Sequence, residues 1–232
     1  MEIWGTIISS IEYHGKMSLV IFMAKCDLKC PYCHNSEILD EGEEVSLLEI
    51  FKKIDDSSEY IDAVVVSGGE PLVQIEELDS ILKYSKKLKL KTKLDTSAYY
   101  PDRLKRVLPY IDYLAIDVKA PYNKYSKVIG SDIGEKVEKC VKMANSDPHV
   151  FLECRTTYVP NLLTPKDIKQ ISREIECDLY TLQQFRNKDV LDESLEEFKS
   201  PNPIELRKLA KEIKPVLKKV KIRTSEFGDE HI

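Results

Sequence analysis

The 232-residue chain predicts an α/β fold whose parallel strands curl into a partial (β/α)6 TIM-like barrel. Three observations predict it. Apolar, β-branched runs alternate about six times with segments of helical period, the pattern of a parallel sheet joined by helical crossovers. Right-handed crossovers put the helices on one side of a curling sheet. The polar residues with chemical potential fall at the C-terminal ends of the predicted strands, where a β/α barrel keeps its site. Six units rather than eight leave such a barrel open at one side, wide enough for a large substrate.

Residues 1–16, with Ile3, Ile7, Ile8 and Ile11 set among Gly5 and Gly15, read as an extended lead-in or hairpin. Ser18 to Ala24 is a buried strand by its continuous β-branched and aromatic character. It delivers the chain into Lys25-Cys26-Asp27-Leu28-Lys29-Cys30-Pro31-Tyr32-Cys33-His34-Asn35. Ser46-Leu47-Leu48-Glu49 is a capping box opening a helix with Leu47, Leu48, Phe51 and Ile54 as its apolar stripe. Ala63 to Ser67 is the second strand and ends in Gly68-Gly69-Glu70-Pro71. A helix follows from about Ile75, with Leu78, Ile81, Leu82, Ser85 and Leu88 on one side.

Leu90 to Thr96 is the third strand, Asp102 to Leu108 a short helix, Asp112 to Lys119 the fourth strand and Gly134 to Asn145 a helix. His149 to Tyr158 is the fifth strand, and Thr164-Pro165 opens a helix carrying Ile168, Ile171 and Ile175. Asp178 to Gln184 is the sixth. Asn202-Pro203 starts a last helix through Leu209 and Ile213, bent by Pro215, and Val220 to Arg223 adds a final strand. The chain reads as one domain: lead-in over 1–16, barrel core over 17–185 and a C-terminal extension over 186–232. Phe185 to Pro201, polar and poorly periodic, is its expected flexible piece.

Thirty-five Lys and Arg against 40 Asp and Glu give a net charge of −5, which offers no nucleic-acid footprint. No apolar run approaches 18 residues and no signal-peptide layout opens the chain, so the expectation is a cytoplasmic protein away from membranes. Six cysteines, three of them clustered, argue for reduced thiols and a metal rather than a disulfide framework.

Cys26, Cys30 and Cys33 lie in one short loop after a strand, a layout that converges three soft ligands on one metal cluster. With no fourth cysteine nearby, one metal corner is left free. A zinc ion on the three thiolates and His34 is the alternative, although zinc motifs favour two separated cysteine pairs. Taken alone, Gly68-Gly69 reads as a strand-to-helix turn and Asp95 as a helix cap. In the fourth strand Leu114, Ile116 and Val118 share the helix-facing side, so Asp117 and Lys119 point inward together, as a functional pair or as an ion pair and no more. In the fifth, Val150, Leu152 and Cys154 go outward while Glu153 and Arg155 go in. Cys140 and Cys154 fit core faces and Cys177 has no ligand spacing, so these three read as structural.

Cys26, Cys30 and Cys33 at this spacing, Tyr32 before the last of them, and Gly68-Gly69-Glu70 at the end of the second strand carry a resemblance over nearly the whole chain. The family is the radical S-adenosylmethionine (SAM) superfamily. The resemblance implies that family's barrel, a 4Fe–4S cluster on three thiolates with one open iron, and SAM chelating that iron through its amino and carboxylate groups. It implies cluster ligation by Cys26, Cys30 and Cys33, and cofactor contacts at Tyr32, Cys33, His34, Gly68, Gly69, Glu70, Asp95, Asp117, Val118 and Lys119. Glu70 would steady the glycine turn. Arg155 and Gln183-Gln184 stand evenly between a part in the site and a purely structural one, and no catalytic residue is implied beyond cluster and cofactor.

Within the superfamily the chain looks most like the activating enzymes of glycyl-radical proteins, those of anaerobic ribonucleoside-triphosphate reductase and pyruvate formate-lyase above all. The residues are Gly15-Lys16-x-Ser18, Cys33-His34-Asn35, Ser67-Gly68-Gly69-Glu70-Pro71, Leu94-Asp95-Thr96-Ser97, Asp117-Val118-Lys119 and Leu182-Gln183-Gln184-Phe185. The chain departs from the family at Lys25, where glycine is frequent, and at Tyr13-His14-Gly15 in the lead-in. No cysteine-rich insert follows Cys33, so the two-cluster activases are not the match. The implied reaction takes a hydrogen atom from one glycine Cα of a partner glycyl-radical enzyme, anaerobic ribonucleotide reductase first among them, with ferredoxin or flavodoxin as electron donor in an anaerobic cell. The alternatives are a radical enzyme acting on a small molecule, in cofactor or deazapurine biosynthesis, and a non-catalytic zinc or electron-transfer module.

Overall fold

The computed structural model describes residues Met1–Ile232, which form two compact units. The first comprises Met1–Asp27, Glu37–Ala115 and Pro148–Phe151; the second comprises Leu28–Ser36, Ile116–Asp147 and Leu152–Ile232.

In the first unit the chain runs through β1 (Glu2–Ser9), β2 (Ser18–Met23), β3 (Glu43–Glu44), α1 (Leu47–Ser57), β4 (Ala63–Gly68), α2 (Ile75–Lys87), β5 (Lys91–Thr96), α3 (Pro101–Val107) and into β6 (Tyr113–Asp117). The strand order is β3-β1-β2-β4-β5-β6. β2, β4 and β5 are parallel neighbours, and β1 lies antiparallel to β2 with Ser9 opposite Ser18, so the lead-in is a hairpin arm. Val64, Val65 and Val66 are all fully buried, as expected of parallel strands covered on both faces.

The capping box of α1 forms as read: Ser46 Oγ accepts from the Glu49 N–H, and Glu49 accepts from the Ser46 N–H at 2.7 Å. The apolar stripe is phased differently. Ile50 and Ile54 are buried, whereas Leu48 is 77% exposed. Leu48 sits one residue, about 100° of helix, from Leu47, so both cannot face the core that takes Ile50 and Ile54. Leu88 likewise leaves the α2 stripe, because the helix ends at Lys87 and Leu88 caps it.

The second unit takes the end of β6, then α4 (Tyr125–Ile129), α5 (Gly134–Asn145), β7 (Phe151–Tyr158), α6 (Pro165–Glu174), β8 (Leu179–Gln184), α7 (Pro203–Ile213), β9 (Val220–Thr224) and β10 (Gly228–His231). The order is β6-β7-β8-β9-β10, parallel from β7 through β9, with β10 antiparallel on β9. Thr164 and Asp167 form a second capping box around Pro165. Pro215 does not bend α7; the helix stops at Ile213 and Pro215 sits in a 3-10 turn, Lys214–Val216. A proline cannot donate the next helical hydrogen bond, so the turn tightens instead.

Two short strands and one short α-helix lie outside the sequence expectation: β3, β10 and α4. The last buries Tyr125, Val128 and Ile129 and ends on Gly130 at φ +72°, the left-handed cap that glycine allows. No helix is long and apolar enough to cross a membrane.

Candidate active site

In the first unit, the end of β2 and the end of β4 are locked together through backbone. The Gly69 N–H donates to the Met23 carbonyl and the Glu70 N–H to the Lys25 carbonyl, both at 2.8 Å. A Cβ on Gly68 would stand 2.2 Å from the Met23 oxygen, and one on Gly69 2.2 Å from the Lys25 oxygen. Gly68 also has φ +116°. Neither position admits a side chain, so the double glycine is what lets this turn press against the residues leading into Cys26. Lys25 itself adopts φ +72° and pairs with Glu2. Its N–H and that of Cys26 donate to the Ile38 and Leu39 carbonyls at 2.7 and 3.1 Å.

Glu70 steadies this turn from below. It is 1% exposed, and its Oε1 accepts from the Leu72 N–H at 3.1 Å and the Thr96 hydroxyl at 2.7 Å. Its Oε2 accepts from the Ser97 N–H at 2.7 Å and from the Ser97 hydroxyl. Burial pushes the carboxyl up from its ordinary value, against the pull of the bonds from Ser97, Thr96 and Leu72. Asp95 does not cap a helix, since α3 begins at Pro101 behind Tyr100. Its carboxylate accepts from Ser67 Oγ at 3.1 Å and pairs with buried Lys93 at 3.2 Å, tying the end of β4 to the end of β5.

In the second unit, the Cys33 N–H donates to the Cys30 carbonyl at 3.0 Å, a turn that keeps the two thiols on one short loop. Cys30 is buried and Cys33 half-buried, and neither is in a disulfide. Burial pushes the Cys30 thiol up; Lys119 pulls it down, and Cys33 and Asp117 add to the rise. Lys119 is opposed by burial, but Asp117, Cys30 and Tyr32 hold its ammonium well above the ordinary value. Asp117 and Lys119 share one face of their strand, as alternation predicts, and pair at 3.3 Å, the Lys119 charge acting on the Cys30 thiol. Arg155 Nε joins Asp117 at 2.8 Å, while the Val118 N–H donates to the Arg155 carbonyl at 2.8 Å.

Sequence reasoning missed the brace on this loop. The Leu191 and Asp192 N–H groups donate to the Cys33 and Pro31 carbonyls at 3.1 and 2.8 Å. His34 Nδ1 lies 3.1 Å from the Lys188 carbonyl, its ring stacked on Phe185; burial and Arg186 lower its pKa. The stretch read as flexible thus seats the cysteine turn. The Gln pair splits in role: buried Gln184 bonds the Pro201 carbonyl and the Ser225 N–H at 2.9 and 2.7 Å, whereas Gln183 meets only Thr157, at 3.5 Å.

These residues fit an iron–sulfur cluster and a polar cofactor. The three cysteines of this stretch are thiols outside any disulfide, and thiolates are the soft ligands such clusters take. The Tyr32 hydroxyl is buried with no hydrogen-bond partner, and bare glycine backbone is held at a strand end. No set of three His, Cys, Asp or Glu side chains is arranged around a single metal ion.

The family model of the radical SAM superfamily matches residues 20–175, and the chain belongs to that superfamily. Its α/β fold is the superfamily's: it superposes on Streptococcus suis SuiB bound to S-adenosylmethionine with a TM-score of 0.69 at 16% identity, over 86% of this chain and 48% of that one. The chain thus spans about half the length of SuiB. A domain of the pyruvate-formate lyase-activating enzyme of Bacteroides vulgatus matches with a TM-score of 0.56 at 17% identity, over 70% of this chain and 99% of that one.

Sequence places the chain more closely. It is 38% identical, over 94% of its own length and 93% of the relative's, to a protein of Methanocaldococcus jannaschii named as a glycyl-radical enzyme activating enzyme. It is 22% identical to the pyruvate formate-lyase-activating enzyme of Streptococcus mutans over 88% of this chain and 89% of that one. Within the superfamily it is a member of the glycyl-radical enzyme activating enzymes.

Proposed function

We propose that this enzyme removes a hydrogen atom from one glycine Cα of a partner glycyl-radical enzyme, anaerobic ribonucleoside-triphosphate reductase being the first candidate. Cys26, Cys30 and Cys33 would hold a 4Fe–4S cluster with one iron open to SAM. Bound together, these cofactors supply a one-electron reduction that opens a sulfonium carbon–sulfur bond and so provides hydrogen-atom abstraction from an unactivated C–H.

The chain's own residues bind and orient. Gly68 and Gly69 offer backbone with no Cβ in the way, and Glu70 keeps that backbone fixed. Asp95 offers an acceptor for hydroxyl or amino groups at the end of β5. Asp117 and Lys119 present opposite charges beside the cysteine turn, suited to a ligand that carries both an ammonium and a carboxylate, with Tyr32, Val118 and His34 completing the wall. Ferredoxin or flavodoxin would deliver the electron in a reducing, anaerobic cytoplasm.

One observation carries the reading: 38% identity over nearly full length to a relative named as a glycyl-radical enzyme activating enzyme. The test is anaerobic incubation of the reconstituted, reduced protein with SAM and each glycyl-radical protein of the same genome. The expected result is a glycyl doublet by EPR with stoichiometric 5′-deoxyadenosine release. No doublet with any partner, together with turnover driven by a free small molecule, overturns it.

A further inference from the structure

Two neighbouring cavities lie in the second unit. One, of about 380 Å³, opens at the C-terminal ends of β7, β8 and β9 and is lined by Thr157, Gln183, Arg223 and Ser225 among others. The second, of about 460 Å³, is lined by Asn35, Asn187, Lys188 and Asp189 among others. His34 and Arg186 line both. Each is within the size range of ligand sites, and their shared wall makes them successive stations for something longer than one small molecule.

The polar groups there are unequally committed. Arg223 is held by Asp229 through Nε and Nη2 at 2.7 and 3.2 Å. Gln184 is consumed by backbone, and Asn187 donates to the Glu196 carbonyl at 3.1 Å. Arg186 is exposed and has neither hydrogen bond nor ion pair within the chain, and the Gln183 amide donates to nothing. A guanidinium fork and a free amide N–H lining one cavity are the donors a carboxylate calls for, since arginine recognises planar anions in a bidentate manner.

We propose that Arg186, with Gln183, receives the carboxylate of an aspartate or glutamate in an extended segment of the polypeptide substrate, the two cavities seating residues on either side. This rests on the activating-enzyme reading for the polypeptide nature of the ligand. The carboxylate specificity rests on the cavity alone.

The probes are two C-terminally amidated pentapeptides, dansyl-Ala-Gly-Glu-Gly-Ala and the same sequence with glutamine for glutamate, together with dansyl-glutamate blocked as its α-amide. Binding to the cluster-reconstituted full chain is followed by fluorescence anisotropy at low salt. The glutamate peptide should bind about fivefold more tightly than the glutamine peptide, the upper end for one charge-assisted pair to an exposed arginine. The ratio should fall to about one in Arg186→Gln and recover in part in Arg186→Lys. Equal binding, no saturable binding, or a preference that survives Arg186→Gln overturns the site. Blocked glutamate binding as tightly as the pentapeptide overturns the polypeptide ligand. A preserved glutamate preference without any glycyl EPR signal sinks the activase reading and leaves the carboxylate site standing.

Discussion

Replacing Glu70 with glutamine tests how the glycine turn is held. Each carboxylate oxygen faces one backbone N–H, Leu72 at Oε1 and Ser97 at Oε2, and one hydroxyl, Thr96 and Ser97 respectively. The hydroxyls can rotate and accept; the backbone N–H groups cannot. Whichever oxygen becomes the NH2 of glutamine, one buried N–H loses its acceptor and faces another donor. An orphaned buried donor costs about 1–3 kcal/mol and a lost bond to a charged group about 1.5–3, offset in part by no longer burying a charge. The expected net loss is ~3 kcal/mol, read by urea unfolding of the reduced protein under circular dichroism at neutral pH. Burial holds the folded carboxyl above its ordinary 4.5, so the folded chain binds this proton more tightly than the unfolded chain. Its contribution to stability therefore falls as pH rises through the window just above 4.5, and Glu70→Gln removes that slope. A loss under about 1 kcal/mol would refute the argument, because it would mean that the native side chain is already neutral and donating.

Three further perturbations follow. At Lys25, φ +72° should reverse the usual order of substitutions: Lys25→Gly should be more stable than Lys25→Ala by about 1 kcal/mol, since both lose the Glu2 pair equally, and alanine at or above glycine in urea unfolding would contradict the left-handed backbone. At Asp112, burial pushes the carboxyl up but bonds from Lys86, Lys91 and Thr92 prevail and bring it from 3.8 to about 2. That depressed value gives stability present above 3.8 and lost as pH falls toward about 2, so Asp112→Asn should flatten this part of the acid limb of a Tm-against-pH curve; an unchanged limb would disprove it. At Asp117, the carboxylate stands between Lys119 and Arg155, and Asp117→Asn takes a shared anion away from both, a loss of about 3 kcal/mol. Adding Lys119→Met should restore part of that loss in thermal unfolding, and a double variant worse than the single would argue against the pairing.

Period and punctuation made most of the fold legible. Valine-rich runs named the parallel strands, and the Ser46 capping box and the Thr164-Pro165 pair named two helix starts to the residue. Pairwise alternation placed Asp117 and Lys119 on one face, and Arg155 joined them because the Val118 N–H bonds its carbonyl and sets it alongside. What escaped was carried by groups without a sequence signature. The brace on the cysteine turn comes from the N–H groups of Leu191 and Asp192, which any residue but proline supplies, so a polar stretch of no clear period read as flexible. The phase of α1 escaped because Ile50 was left out of the stripe: Leu47, Ile50 and Ile54 stand at i, i+3 and i+7 on one face, and Leu48 falls about 100° away from Leu47.

Lys25 shows why a departure from a family pattern needs its backbone before it is interpreted. Read from residue type, a lysine where glycine is frequent suggests an altered entrance to the site. The structure keeps the backbone that would call for glycine, φ +72°, and keeps both bonds that use it, the N–H to Ile38 and the carbonyl from Glu70. A side chain is tolerable there because, unlike at Gly68 and Gly69, it leads outward to Glu2 rather than into a neighbouring carbonyl. Left-handed backbone costs a non-glycine residue about 1–2 kcal/mol, and a half-exposed ion pair returns at most about 1. The substitution is therefore a small, local strain beside the first cysteine of the loop, which leaves the geometry of the turn intact.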